Sequence, residues 1–378
     1  MALDADARRG PATDPIAQFL EEQTRRGIWP GAVWLVEQGD RVVSSGAVGS
    51  RALVPVREPA SADTIYDLAS LTKPLATAAL LAILDGEGAL DLGVPASRFL
   101  PGLACAGGGR PTIFDLATHR SGLPGWRPLW SGARTPRDVV GAAMRLPAEY
   151  PCGGKVVYSD PGYILLGEVL RVVSGKTIGT LFEERIARPL GLGSTLFRPP
   201  AGLKPRIAPT ERGNDHERRL AGNFIETVDD ASLRTDIIRG EVHDGNAMAL
   251  GGEAGHSGLF GPAVEIARLA REFLGGGTGA AGLFGTRALA LFRENATPGL
   301  EEGRTLGWKR AARGAREAEG VLADTAFGHA GFTGTSLWLD PEADRVYVLL
   351  TNRVHPEVKP TDMTAIRRRF HEIASVLA

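Results

Sequence analysis

Cysteine is nearly absent from this 378-residue chain, which holds only Cys105 and Cys152. Two thiols build no disulfide framework, and these lack the ligand spacing of a zinc site, so both read as small, partly buried residues. Lysine is scarce as well, six against 37 arginines, so the position of each lysine carries information. Long apolar runs are missing: the longest, Leu75 to Leu84, spans about ten residues, too few to cross a bilayer. The first thirteen residues are polar and contain no apolar core of a signal peptide, so a soluble cytoplasmic protein is expected. Neither sign of charge dominates. Lys plus Arg total 43 and Asp plus Glu total 44, a net charge of −1, which excludes a protein that grips nucleic acid through a global basic field.

What is present is a loop-rich globular composition, with 49 glycines and 25 prolines. The length corresponds to about 2.5 average domains, consistent with one large domain or two. After the polar tail, Asp14 to Arg26 reads as a helix with Ile16, Phe19 and Leu20 on one side. Ala32–Glu37 and Arg41–Ser45 read as a hairpin around Gln38-Gly39-Asp40. A second strand pair, Ser336–Leu339 and Arg345–Thr351, flanks a turn at residues 340–344, and Thr361–Leu377 has helical spacing.

Between these ends the pattern is helical: Leu75–Gly86, Thr112–Thr118, Arg137–Met144, Tyr163–Ser174, Thr177–Ile186 and Val264–Phe273. Arg198 to Leu250 shows no periodicity and is longer than ordinary loops, which suggests a functional excursion over the surface. The predicted fold class is α+β. One antiparallel sheet from both chain ends (14–65 and 300–378) is flanked by helices, with a mainly helical domain (66–299) inserted and a polar tail at 1–13. A site would lie in the cleft between the two parts.

Three motifs carry chemistry. The first is Ser70-Leu71-Thr72-Lys73, just before the apolar helix. At i and i+3 the two side chains share a helix face, a buried lysine can lose its charge, and a neutral amine can take the serine proton. About one chain in four of this composition would hold the motif by chance, so it is weak alone. Pro74 disfavours helical backbone at Lys73 unless this is only a first turn. The second is Tyr158-Ser159-Asp160, also before a helix, where a phenol beside an ammonium could shuttle a proton. The third is Gly328-His329-Ala330-Gly331-Phe332-Thr333-Gly334 before a strand, whose edge could supply an oxyanion donor.

In this order the three motifs resemble the penicillin-recognising serine hydrolases, and among them the class C β-lactamase-related group. The resemblance runs from about Ile16 to His355 and includes Leu100-Pro101-Gly102, Thr118-His119-Arg120-Ser121-Gly122 and Arg188-Pro189-Leu190-Gly191-Leu192. It implies a β-lactamase/transpeptidase-like fold, no cofactor and no metal. By motif, Ser70 would be the acylated nucleophile, Lys73 its proton acceptor and Tyr158 a general base and acid. His329 would stand in the place of the lysine of the family's K-T-G motif. The backbone N–H groups of Ser70 and Phe332 would form the oxyanion hole, with Gly331 and Asp160 beside the substrate. Two residues depart from the pattern. Asp160 stands where asparagine is usual, and His329 carries no fixed charge at pH 7.

The stretches Glu241–Asn246, Leu250–Phe260 and Thr351–Pro356 are similar to a subgroup associated with peptidoglycan turnover. That likeness implies His243, Asp244 and Asn246 as substrate-side residues and Arg353 as a carboxylate partner. It also implies a small-molecule or short-peptide substrate and no nucleic-acid partner. The expected function is hydrolysis of an amide in a peptidoglycan-type peptide, by a D-alanyl carboxypeptidase-like or muramyl-peptide amidase-like enzyme. A carboxylesterase on the same fold is the alternative, and a catalytically silent binding module is the alternative of another class. Neither H-E-x-x-H nor G-x-S-x-G occurs, which argues against a metal hydrolase and an α/β-hydrolase.

Overall fold

A computed structural model of the chain describes residues 14–103, 109–231, 233–276 and 282–377. Cys105 and the polar tail at 1–13 lie outside these residues, while Cys152 is half-buried.

Helix α1 (Pro15–Arg25) starts at Asp14, whose carboxylate caps the N–H groups of Ile16 and Ala17. The hairpin follows as β1 (Gly31–Gln38) and β2 (Arg41–Ala52), with β3 (Glu58–Pro59) along its edge. The second strand of the hairpin is more than twice the predicted length. Gly46 allows this, because a Cβ there would stand 2.7 Å from Cζ2 of Trp34; the indole needs that space to lie across β2. Trp34 Nε1 then donates to Ser44 Oγ, which donates to Asp14 Oδ2 at 2.6 Å, tying β1, β2 and α1 together.

Near the other end of the chain come β7 (Lys309–Arg310), β8 (Phe327–Ala330), β9 (Ser336–Asp340) and β10 (Arg345–Thr351). They join the first strands in one antiparallel sheet of order β3-β2-β1-β10-β9-β8-β7. The chain ends meet at β1 and β10, in register from Ala32 opposite Thr351 to Gln38 opposite Arg345. Side chains alternate across β1, and both faces are covered. Val33 and Leu35 pack toward α2 (Ala79–Gly86), α3 (Asp160–Ser174) and α4 (Ala263–Phe273), whereas Trp34 and Val36 pack under α1 and α5 (Met363–Ser375).

A second, small sheet was not predicted. β4 (Tyr66–Asp67) and β5 (Leu196–Phe197) flank β6 (Leu259–Gly261). Strands of two or three residues are too short for a period-2 pattern to show. The expected helix at Thr177–Ile186 is instead a short helix, Ile178–Phe182, followed by a wider π-helical turn, Glu183–Ala187. The aperiodic excursion contains a 3-10 helix, Ala201–Arg206, and two short helices, Asp215–Ala221 and Gly245–Ala249.

Candidate active site

Ser70 stands on a turn fixed from several sides. Just upstream, the buried Asp67 carboxylate accepts the N–H groups of Ala69 and His243, each at 2.8 Å. From the β8–β9 connection, Thr333 Oγ1 donates to Asp67 O at 2.8 Å and Thr335 Oγ1 to Leu68 O at 3.1 Å. Ala69 is held at φ +48°, a left-handed conformation that costs a non-glycine residue about 1–3 kcal/mol. The surrounding bonds hold it there.

Lys73 lies one turn on, at the start of a π-helical segment, Lys73–Ala78, that leads into α2. Pro74 falls in the first turn of that segment, where its missing N–H leaves no bond unmade. Lys73 Nζ is fully buried and donates to Ser70 Oγ at 2.9 Å and to His256 O at 3.0 Å. It also meets Asp160 Oδ1 at 2.7 Å as an ion pair. Burial alone would push the ammonium down, but the Asp160 carboxylate and the Tyr158 oxygen outweigh it, and its pKa rises above the ordinary value. The sequence allowed a lysine made neutral by burial; the Asp160 carboxylate beside it shifts Lys73 the other way.

Tyr158 precedes α3, whose first turn is capped by Ser159 Oγ accepting the N–H of Gly162. Its ring centroid lies 4.8 Å from Lys73 Nζ. Burial raises its pKa and Lys73 opposes the rise, so the phenol is protonated at rest. His119 clamps this segment in a way the sequence reading missed. Its carbonyl accepts Val157 N–H at 2.9 Å, its Nδ1 accepts Ser159 N–H at 3.0 Å, and its ring lies 4.6 Å from that of Tyr158. Burial, with the charges of Arg304 and Lys73, holds His119 well below the usual histidine range.

His329, on β8, faces the other side of Tyr158 at 5.7 Å between ring centroids. Its Nδ1 donates to Ala330 O at 3.0 Å, which leaves Nε2 as the acceptor of a neutral ring. Burial and the charges of Lys73 and Arg304 push its pKa well below the usual value, so it supplies no positive charge. Gly331 lets the strand close against the serine turn, since a Cβ there would lie 2.7 Å from Leu68 O. Phe332 N–H follows directly.

Ser70, Tyr158, Asp160, His329, Gly331 and Phe332 line a cleft of about 750 Å³, with Lys73 and His119 buried behind them. His243 and Asp244 line it too, supplied by the excursion together with His216 and Glu217, which the sequence reading did not single out. The Phe332 ring stacks on His243 at 5.7 Å and lies 5.1 Å from His216. Arg353 reaches the same edge, its guanidinium 4.7 Å over Phe332 and its Nε donating to Phe332 O. Asn246 does not reach the cleft. It is fully buried and spends its amide on Trp130 N–H and Arg127 O, bracing the loop beneath. Among the described residues no group of three or more His, Cys, Asp or Glu side chains could hold a metal ion, and no helix is long and apolar enough to cross a membrane.

A serine-lysine pair at the start of a helix, with a tyrosine set against strand β8 of an antiparallel sheet, marks a serine hydrolase of the β-lactamase/transpeptidase-like fold. The chain belongs to the β-lactamase family, whose model matches residues 16–370. It is 31% identical over 376 residues to an N-acetylmuramyl-L-alanine amidase of Bacillus subtilis, covering 92% of this chain and 82% of the relative. It is 34% identical over 377 residues to an Escherichia coli protein named D-alanyl-D-alanine carboxypeptidase, covering 90% and 82%. In fold it is similar to a class C β-lactamase of Rhodobacter sphaeroides, with a TM-score of 0.71, 21% identity and coverage of 96% and 99%. It is equally similar to EstCE1, a hydrolase with promiscuous acyltransferase activity, with a TM-score of 0.71, 21% identity and coverage of 95% and 97%.

Proposed function

We propose that the protein cleaves an amide bond of a peptidoglycan-type peptide through an acyl-enzyme on Ser70. The observation that carries this reading is the chain of contacts from Ser70 Oγ to Lys73 Nζ at 2.9 Å and on to Asp160 Oδ1 at 2.7 Å. The names of its relatives, a muramyl-alanine amidase and a carboxypeptidase, support the substrate class.

In this mechanism Lys73 passes a proton to Asp160 and accepts the Ser70 proton as Oγ attacks the carbonyl carbon. The C–O bond forms, the negative charge moves to the carbonyl oxygen, and the N–H groups of Ser70 and Phe332 stabilise it. Tyr158 then gives its proton to the leaving nitrogen as the C–N bond breaks, and Lys73 replaces that proton from the one held on Asp160. Water repeats the sequence on the ester, with Ser70 leaving. His329, neutral and next to Tyr158, orients the phenol without adding charge.

Intact-mass labelling with a fluorophosphonate and with a penicillin tests the mechanism on wild type and Ser70→Ala. The expected result is a fluorophosphonate adduct on wild type and none on the variant; an unlabelled wild type, or an equally labelled variant, would overturn it. The neutral His329 gives an esterase a specific claim as second reading, because no fixed cation stands at that position. Hydrolysis of short-chain esters with no cleavage of muropeptides would favour it.

A further inference from the structure

Phe332 sits in a turn whose carbonyls are held from several sides. Between β8 and β9, Gly331 N–H donates to Thr335 O at 2.8 Å and Gly334 N–H to Gly331 O at 3.1 Å. Arg353 donates its N–H to Thr333 O and its Nε to Phe332 O, each at 2.9 Å. From α5, Arg367 Nη2 donates to Gly331 O at 2.9 Å and to Thr335 O at 3.0 Å. Phe332 N–H pairs with none of these carbonyls.

A buried guanidinium is a costly brace for such a turn. Arg367 is buried, and its Nε has no partner among the described residues. Burial lowers its pKa to about 10, with Glu317 opposing the fall and Arg353 adding to it, so it remains a cation at neutral pH. Burying a charge costs far more than burying a neutral polar group, and a neutral amide carries the two N–H donors that these carbonyls need.

What the charge adds falls on one peptide unit. Gly331 C=O and Phe332 N–H belong to the same amide, which is trans, so the two groups point in opposite directions. A cation at the oxygen favours the resonance form with C–N double-bond character and leaves more positive charge on the N–H. Gly334 N–H, on the same oxygen, acts in the same sense.

We infer that Arg367 is a positioning residue for the oxyanion hole: it holds and polarises the Gly331–Phe332 peptide, making Phe332 N–H a stronger donor to the oxygen that gains charge. This rests on the acyl-enzyme reading above and adds that one of its two oxyanion donors draws strength from a cation on α5.

The test compares two reagents at Ser70, a fluorophosphonate and its thiono analogue, in which sulfur, a weak acceptor, replaces the phosphoryl oxygen. Labelling rates are read by intact mass in wild type, Arg367→Gln and Arg367→Lys. Glutamine keeps N–H donors and loses the charge, so the oxygen reagent should slow about 2- to 8-fold more than the sulfur reagent. That range is about 10–30%, on a logarithmic scale, of the 10²- to 10³-fold cost of losing an oxyanion donor. Arg367→Lys should keep the wild-type ratio. Both rates come from one preparation, so their ratio is independent of how much of a variant is folded. Equal slowing with both reagents in Arg367→Gln, or a ratio lost as fully in Arg367→Lys, would overturn the role of Arg367. A wild type labelled by neither reagent would instead overturn the acyl-enzyme reading beneath it.

Discussion

The two ends of the cleft are built on different principles. At the excursion end the carboxylates are matched within the protein. His243 Nε2 bonds Glu211 at 2.9 Å, Asp244 bonds His256 at 2.8 Å, and Glu217 takes Gly245 N–H on both oxygens. At the β7 end Arg304 keeps its Nε and Nη1 without a partner among the described residues. A satisfied network makes its surroundings rigid, whereas buried donors without acceptors carry a desolvation cost. Between the two stands Lys73, in contact with Ser70, His256 O and Asp160.

Asp160→Asn tests that midpoint and has the largest expected effect. Without the carboxylate, burial is the dominant influence on Lys73, and its pKa falls. The kcat should drop by about 10²- to 10³-fold, the range for general acid–base catalysis. The alkaline side of the kcat profile should move to lower pH. A change in KM alone, with an unmoved profile, would make Asp160 a substrate contact and not a proton carrier.

Behind the charged end, buried His371 donates Nδ1–H to Glu317 O at 2.8 Å, and burial pushes its pKa down to about 4 from 6.5. The unfolded chain therefore binds a proton between those values that the folded chain does not. The neutral ring costs nothing above pH 6.5, and stability falls as pH drops from 6.5 to 4, by about 3 kcal/mol from this residue. Denaturant melts at pH 7 and pH 5 should show a smaller difference in His371→Asn than in wild type; an identical difference would show that this ring does not titrate as described.

Gly245→Ala perturbs the other end, and its effect is the smallest. The added Cβ would lie 2.9 Å from Trp130 Cδ1 and closer still to the Glu217 carboxylate. Overpacking of this kind costs about 1–3 kcal/mol. A lower Tm with kcat within about threefold is the expected pattern, since the excursion shapes the cleft without moving protons. A collapse of kcat at unchanged Tm would place chemistry there.

The same contrast explains what could be read in advance. Ser70 and Lys73 are three residues apart, so one helical turn joins them and a local motif announces it. Tyr158 and His329 came with the order of the motifs. His119 and Arg304 did not, because loop closure brings them to Tyr158 and leaves no local spacing. Asn246 misled for the converse reason: its neighbours face the cleft, but the short helix at Gly245–Ala249 turns its amide inward. The small sheet under Ser70 was invisible because its strands are two or three residues long.

The pairing of β1 with β10 also bears on how the molecule is made. Strands emerging from the ribosome some 300 residues apart must find each other, a high-contact-order closure that is expected to be slow. Until Arg345–Thr351 is synthesised, β1 lacks its inner neighbour and β9 has nothing to bridge it to the amino-terminal hairpin. Strand β8 with His329, and the turn after it with Phe332, is thus set against the Ser70 turn late in synthesis. A growing chain carries Ser70 for most of its synthesis without the strand that stands across the cleft from it.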